Sequence, residues 1–146
     1  MRRSTALALL GLIFILMISL GCLKIEPCLK IDAAVSEKDD DANIVVWRVN
    51  GYTLIGSASR VLDGFTYHIT WRVLDEENNT VWEGMAQVNR SKVTPEVPGV
   101  IYCDTDEDGK ISIGDLIIVK VDEDGFYRIE ALYDGKDCWI SSLEHF

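Results

Sequence analysis

Histidine is nearly missing from this chain, and so are the motifs that histidine usually serves. There are two, His68 and His145. His68 sits on the polar side of the clearest strand pattern, and His145 stands beside the last residue. Neither has a partner at zinc-ligand spacing, so both read as surface or edge residues. No His-Glu-x-x-His pair, Gly-x-Ser-x-Gly elbow, Gly-rich phosphate loop or Cys-x-x-Cys occurs. Positive charge is scarce as well: 14 Lys and Arg face 24 Asp and Glu, for a net charge of −10. A field of that sign disfavours nucleic acid and anionic membrane surfaces, and suits a cation-binding protein. After the N-terminal segment there is no apolar stripe at i, i+3, i+4 of helical length. Acid and base carboxylates of a glycosidase can lie far apart in sequence, so the acidic residues alone name no catalytic pair. These absences favour a binding or structural protein over an enzyme.

The sequence does contain one loop with the pattern of a metal site. Residues 104–115 read Asp104-Thr105-Asp106-Glu107-Asp108-Gly109-Lys110-Ile111-Ser112-Ile113-Gly114-Asp115. Carboxylates fall at loop positions 1, 3, 5 and 12, with glycine at 6 and isoleucine at 8. Ca²⁺ is a hard cation that takes six to eight oxygens, and a tightly turning loop points alternate side chains inward. Asp104, Asp106 and Asp108 are the expected carboxylate ligands. Lys110 supplies its backbone carbonyl, Ser112 a hydroxyl or a water, and Asp115 closes the shell. Gly109 permits the sharp bend, and Ile111 tucks under the loop to tie it to the core. The competing reading is a solvated acidic turn, since Asp and Gly favour turns without any metal. The loop is EF-hand-like, and with aspartate at position 12 it resembles the loop of dockerin modules. That resemblance covers these twelve residues alone and implies Ca²⁺, without a dockerin's second repeat or its partner.

The N-terminal segment reads as an export signal. Arg2 and Arg3 precede an uncharged run from Ser4 to Leu23, nearly all apolar between Thr5 and Leu20. The sequence Ile18-Ser19-Leu20-Gly21-Cys22 resembles a lipobox, which implies lipidation at Cys22 and cleavage ahead of it. An uncleaved signal anchor and plain secretion are the alternatives, because about 20 uncharged residues can span a bilayer. All three put the rest of the chain outside the cytoplasm, and the first two hold it at the membrane. The expected location is therefore the extracellular face of the cell membrane. Loss of residues 1–21 removes two arginines and takes the net charge from −10 to −12.

The organisation expected is residues 1–21 as signal or membrane segment, 22–42 as tether, and 43–146 as a domain. A short strand at 29–35 is compatible with the tether. From Asn43 onward the pattern is β. Phe65, Tyr67, Ile69, Trp71 and Val73 alternate with polar residues. Ile44–Val49, Thr80–Val88, Val100–Cys103, Leu116–Val121 and Phe126–Tyr133 also read as strands. Asn50-Gly51, Asp63-Gly64, Glu77-Asn78-Asn79, Pro95 to Gly99, Asp124-Gly125 and Asp134-Gly135 read as turns. Asp122-Glu123-Asp124-Gly125 reads as a hairpin turn and not a second metal loop, because the later ligands are absent. About seven short strands with frequent turns predict an all-β, immunoglobulin-like β-sandwich. Trp47, Trp71, Trp82 and Trp139 lie in or beside strands and are assigned to its core in preference to a sugar-binding face. The strand-flanked loop is similar to Ca²⁺ loops of surface β-domains, including some archaeal pilin-like proteins, over residues 100–133. That similarity implies a structural ion that welds two strands.

Four cysteines are present, at 22, 28, 103 and 138. With Cys22 lipidated, Cys103 and Cys138 are the expected disulfide and Cys28 is left over. With Cys22 free, Cys22–Cys28 becomes a second pair. The sequons at Asn78 and Asn89 are candidate glycosylation sites on an exported chain. The function expected is a membrane-anchored extracellular module with one structural Ca²⁺, acting in surface interaction or envelope architecture with an unidentified surface protein or glycan. A solute- or carbohydrate-binding lipoprotein is the alternative, and a small hydrolase using the acidic loop is the third reading.

Overall fold

The computed structural model describes residues 26–62 and 69–146. The expected signal segment, Cys22, His68, the expected turn at Asp63-Gly64 and the first half of the alternating run at 65–73 lie outside the described residues. Among the described residues the fold is all-β, with ten strands in two sheets.

The strands are β1 (Cys28–Asp39), β2 (Ile44–Ile55), β3 (Ile69–Asp75), β4 (Thr80–Gly84), β5 (Gln87–Asn89), β6 (Gly99–Cys103), β7 (Leu116–Lys120), β8 (Phe126–Tyr133), β9 (Lys136–Ile140) and β10 (Glu144–His145). The first sheet runs β1-β2-β7-β6-β5 and the second runs β10-β8-β3-β4, with β9 also paired to β8. All pairings are antiparallel except the short β5–β6 contact.

The two sheets pack face to face in a sandwich-like arrangement. Alternation on each strand sends one set of side chains inward. Val45, Trp47 and Val49 from β2 and Ile117 and Val119 from β7 meet Ile69, Trp71 and Val73 from β3 and Ile129 and Ala131 from β8. An aromatic cluster fills the centre. Trp139 stands edge-on to Trp47 at 5.5 Å and to Trp71 at 6.2 Å, and Phe146 lies 6.1 Å from Trp47. Such contacts add to the burial of large apolar surfaces. Trp47, Trp71 and Trp139 are thus core residues, and Trp82 is half-buried against them.

β7 is buried on both faces, as its unbroken apolar run predicts. Ile118 points away from the main core into a second, smaller cluster with Ile44, Val46, Ile101 and Cys103, which Val93 of the 90–98 segment helps to cover. The Asp134-Gly135 turn joins β8 to β9 with Tyr133 paired to Lys136, both turn residues at positive φ (47° and 84°). That is the backbone a two-residue hairpin needs.

Four expectations differ from the fold. Residues 28–39 are not tether but a twelve-residue edge strand. Cys28, Leu29 and Ile31 supply its buried anchor, and its later, charged positions face solvent because an edge strand needs few apolar residues. Asn50-Gly51 is not a turn. It lies within β2, where the register slips so that Asp32 pairs with Gly51 and Ala33 with Val49, leaving Asn50 as a bulge. The single strand expected at Thr80–Val88 is two: β4 pairs with β3, then the chain crosses to the other sheet and β5 pairs with β6. Finally, Cys103 and Cys138 do not meet. Alternation on β6 turns Val100 and Tyr102 into the main core and Ile101 and Cys103 to the opposite face, while Cys138 lies in the main core. The sheet itself separates the two sulfurs.

Candidate metal centre

The loop at 104–115 is the connection between β6 and β7, closed at its base by the Cys103–Leu116 pair. It is fastened on three sides by backbone hydrogen bonds. The Asp104 N–H donates to the Asn89 carbonyl (2.7 Å). Gly114 and Asp115 bond to Val49 of β2, both at 2.8 Å. The segment at 60–62 forms the third side: the Ile111 N–H donates to the Arg60 carbonyl (2.8 Å) and the Leu62 N–H to the Gly109 carbonyl (2.9 Å). Ile111 is fully buried in the main core, as the loop pattern predicts. Gly109 sits at φ 71°, and Glu107 also adopts positive φ (56°). The loop is therefore a folded element, fastened to its neighbours through its backbone as well as through Ile111.

Asp104, Asp106 and Asp108 converge. One ligand oxygen from each lies within 4.8 Å of the others, and among the described residues this is the only group of three or more His, Cys, Asp or Glu that can hold a metal ion. Asp104 is 2% exposed, and the other two face solvent. Asp104 Oδ2 accepts from the Gly109 N–H at 2.9 Å, whereas its Oδ1 is buried with no hydrogen-bond partner. Burying an anionic oxygen with nothing to replace its water is costly. Burial raises the Asp104 carboxyl to about 6 against the lowering pull of the Gly109 N–H, and the neighbouring Asp106, Asp115 and Asp108 add to the rise. Asp108 is held below the usual range, chiefly by the Ser112 hydroxyl. The Ser112 Oγ–H donates to Asp108 Oδ2 at 2.5 Å and the Lys110 N–H to Asp108 Oδ1 at 2.9 Å. The arrangement is an all-oxygen, anionic cup open to solvent on one side.

Asp115 takes a different part from the one its position suggests. It is fully buried, and its two oxygens are already used. Oδ2 accepts from the Tyr102 O–H (2.7 Å) and the Ser112 N–H (2.8 Å). Oδ1 accepts from the Thr105 N–H (3.1 Å) and hydroxyl (3.2 Å). Burial raises its carboxyl while these donors pull it down. Asp115 therefore closes the loop on itself and stands apart from the three converging aspartates. Aspartate, one methylene shorter than glutamate, reaches the loop backbone. Sequence reasoning missed Tyr102 and Thr105 as its partners. The signal was slight, since Tyr102 reads only as an inward strand residue.

The remaining predicted residues are placed as follows. Lys110 forms a bridge with Val61, and its carbonyl lies 3.4 Å from the Ser112 hydroxyl. His145 is exposed, with its ring 4.9 Å from that of Phe126. No protein-family model, curated protein or solved structure matches the chain at a significant level. Among the described residues, no helix is long and apolar enough to cross a membrane.

Proposed function

We propose that the 104–115 loop holds one Ca²⁺ as a structural ion in a non-catalytic surface module. The unpartnered, buried Oδ1 of Asp104, beside the carboxylates of Asp106 and Asp108, carries this reading. A divalent cation supplies the compensation that Oδ1 lacks. Three carboxylates in a cup partly open to solvent suit Ca²⁺, with its larger and less regular shell, better than Mg²⁺, which demands a tight octahedron. Lys110 would add its carbonyl, and waters would complete the shell. The donors are all oxygens, which disfavours softer transition metals. Because the loop joins two adjacent strands of one sheet, the ion would pin β6 to β7 at their ends.

The wider setting is part of the same proposal. The N-terminal segment exports the chain and holds it at the outer membrane face, through lipid on Cys22 or as an uncleaved signal anchor. The acidic domain then works in surface interaction or envelope architecture, with a surface protein or glycan as partner. An immunoglobulin-like sandwich fits its two sheets around a tryptophan-rich core. Extracellular Ca²⁺ modules bind at about 10⁻⁴–10⁻³ M, so such a site fills outside a cell. The burial of Trp47, Trp71 and Trp139 weighs against a sugar-binding face built on those rings. One observation favours the solute-binding alternative: a cleft of about 640 Å³ opens between β1 and β9, bordered by Lys30, Asp32, Trp47 and Trp139.

The deciding experiment is a thermal melt in millimolar Ca²⁺, in Mg²⁺ and in EDTA, repeated with Asp104→Asn. A higher Tm in Ca²⁺ alone, reversed by EDTA and lost in the variant, is the expected result. Superimposable melts would reduce the loop to an acidic turn.

A further inference from the structure

Cys28 opens β1 at the edge of one sheet, and Cys138 lies in β9 at the edge of the other. They are 110 residues apart in sequence, and their sulfurs are 3.0 Å apart. Both are buried, at 5% and 2% exposure. A covalent bond would need the sulfurs to approach by only about 1 Å. Neighbouring contacts fix the same geometry: the Lys30 ammonium donates to the Asp137 carbonyl at 2.6 Å. No metal ligand accompanies the pair, since among the described residues the only metal-competent group is in the 104–115 loop. Cys103 is far from both, on the other face of the first sheet.

We propose that Cys28 and Cys138 form a disulfide, made by exchange with an external disulfide, that bolts the two sheets together at their open edge. One cysteine thiolate attacks a sulfur of the external disulfide, forming a mixed disulfide and releasing one thiol. The other thiolate then attacks the protein sulfur of that mixed disulfide, making the Cys28–Cys138 bond and releasing the second thiol. Two electrons pass to the external disulfide, and the two protons end on its thiols. Burial and the adjacent Cys28 thiol push Cys138 up to about 12. Exchange is therefore slow in the folded protein and belongs to the stage before the sheets close. The bond is independent of the metal reading. It agrees with export, because such disulfides persist in oxidising compartments.

The test is to refold the reduced full chain in a glutathione redox buffer, block free thiols with iodoacetamide, digest, and map the peptides by mass spectrometry. Protein collected from cells that export the chain gives the same reading without refolding. The expected map joins Cys28 to Cys138 and finds Cys103 alkylated. A Cys138 joined to Cys103 or Cys22, or Cys28 and Cys138 both alkylated, overturns the proposal. As a second readout, protein reduced by a phosphine while unfolded and then refolded in its presence melts roughly 10 °C below the oxidised protein, and Cys28→Ala with Cys138→Ala abolishes that difference. Equal melting temperatures for the oxidised protein and for protein reduced while unfolded and refolded under the phosphine also overturn it.

Discussion

β7 runs between two acidic loops of similar composition and different character. Ahead of it, residues 104–115 fold around a buried carboxylate. Behind it, Asp122, Glu123 and Asp124 all face solvent. The second loop is held by its backbone: the Tyr127 hydroxyl donates to the Glu123 carbonyl at 3.0 Å, and Gly125 exchanges bonds with Phe146. Its carboxylates point at water, with Asp124 Oδ1 also facing the Asn43 side-chain amide. In the first loop Ile111 is a buried anchor and Asp115 an internal clasp, and Asp104, Asp106 and Asp108 converge on one point above them. Acidic composition alone thus decides little. What distinguishes a metal-competent loop is apolar and hydrogen-bonded fastening at positions 8 and 12.

That contrast can be broken from either side. The largest effect is expected from Ile111→Ala, which leaves a cavity under the first loop and costs about 2–5 kcal/mol in urea unfolding, with Ca²⁺ or without. Asp115→Ala takes one acceptor from the Tyr102 hydroxyl and the carboxylate from the N–H groups of Thr105 and Ser112, and costs about 3 kcal/mol by the same measurement. Ca²⁺ at 100 times its dissociation constant adds about 2.7 kcal/mol. Asp104→Asn removes that gain while keeping the Gly109 bond, and it also removes the buried negative charge, so its metal-free stability is at or above wild type. Isothermal titration separates this loss of binding from a loss of folding. Gly109→Ala meets no neighbour within 4 Å, so its cost is the strain of φ 71° alone, about 1 kcal/mol. Asp124→Asn, in the second loop, changes stability by less than about 0.5 kcal/mol and leaves the Ca²⁺ response intact. A Ca²⁺ response that followed Asp124 and not Asp104 would reverse the assignment of the two loops.

Much of this was legible where the physics is local. Alternation at Tyr127, Ile129, Ala131 and Tyr133 located β8, the apolar run at 116–121 located β7, and Asp-Gly at 134–135 located its hairpin. The convergence of Asp104, Asp106 and Asp108 was legible too, because the spacing of a loop carries its own geometry. What was hidden depends on distant partners. β1 looks like a charged tether until β2 pairs with it, and Asn50-Gly51 looks like a turn until that pairing makes it a bulge. The crossing from β4 to β5 leaves no period to read. Asp115 carries a ligand's position in the pattern, yet its role is set by Tyr102, which sits on another strand. The cysteines were misassigned for the same reason: parity along β6 sends Cys103 to the wrong face, and only the stacking of the sheets brings Cys28 to Cys138.

The position of Cys28 has a mechanical consequence. Any tension carried by the chain ahead of it enters the fold at the first residue of an edge strand. Held only by β2 and by non-covalent contacts such as the Lys30–Asp137 bond, β1 would peel away one residue pair at a time under load. With Cys28 joined to Cys138, the pull passes directly into β9 and the opposite sheet, and the rest of β1 carries none of it. Stretching single molecules from the N-terminal side would then show one abrupt rupture in the oxidised protein and a gradual, low-force peel in the reduced one.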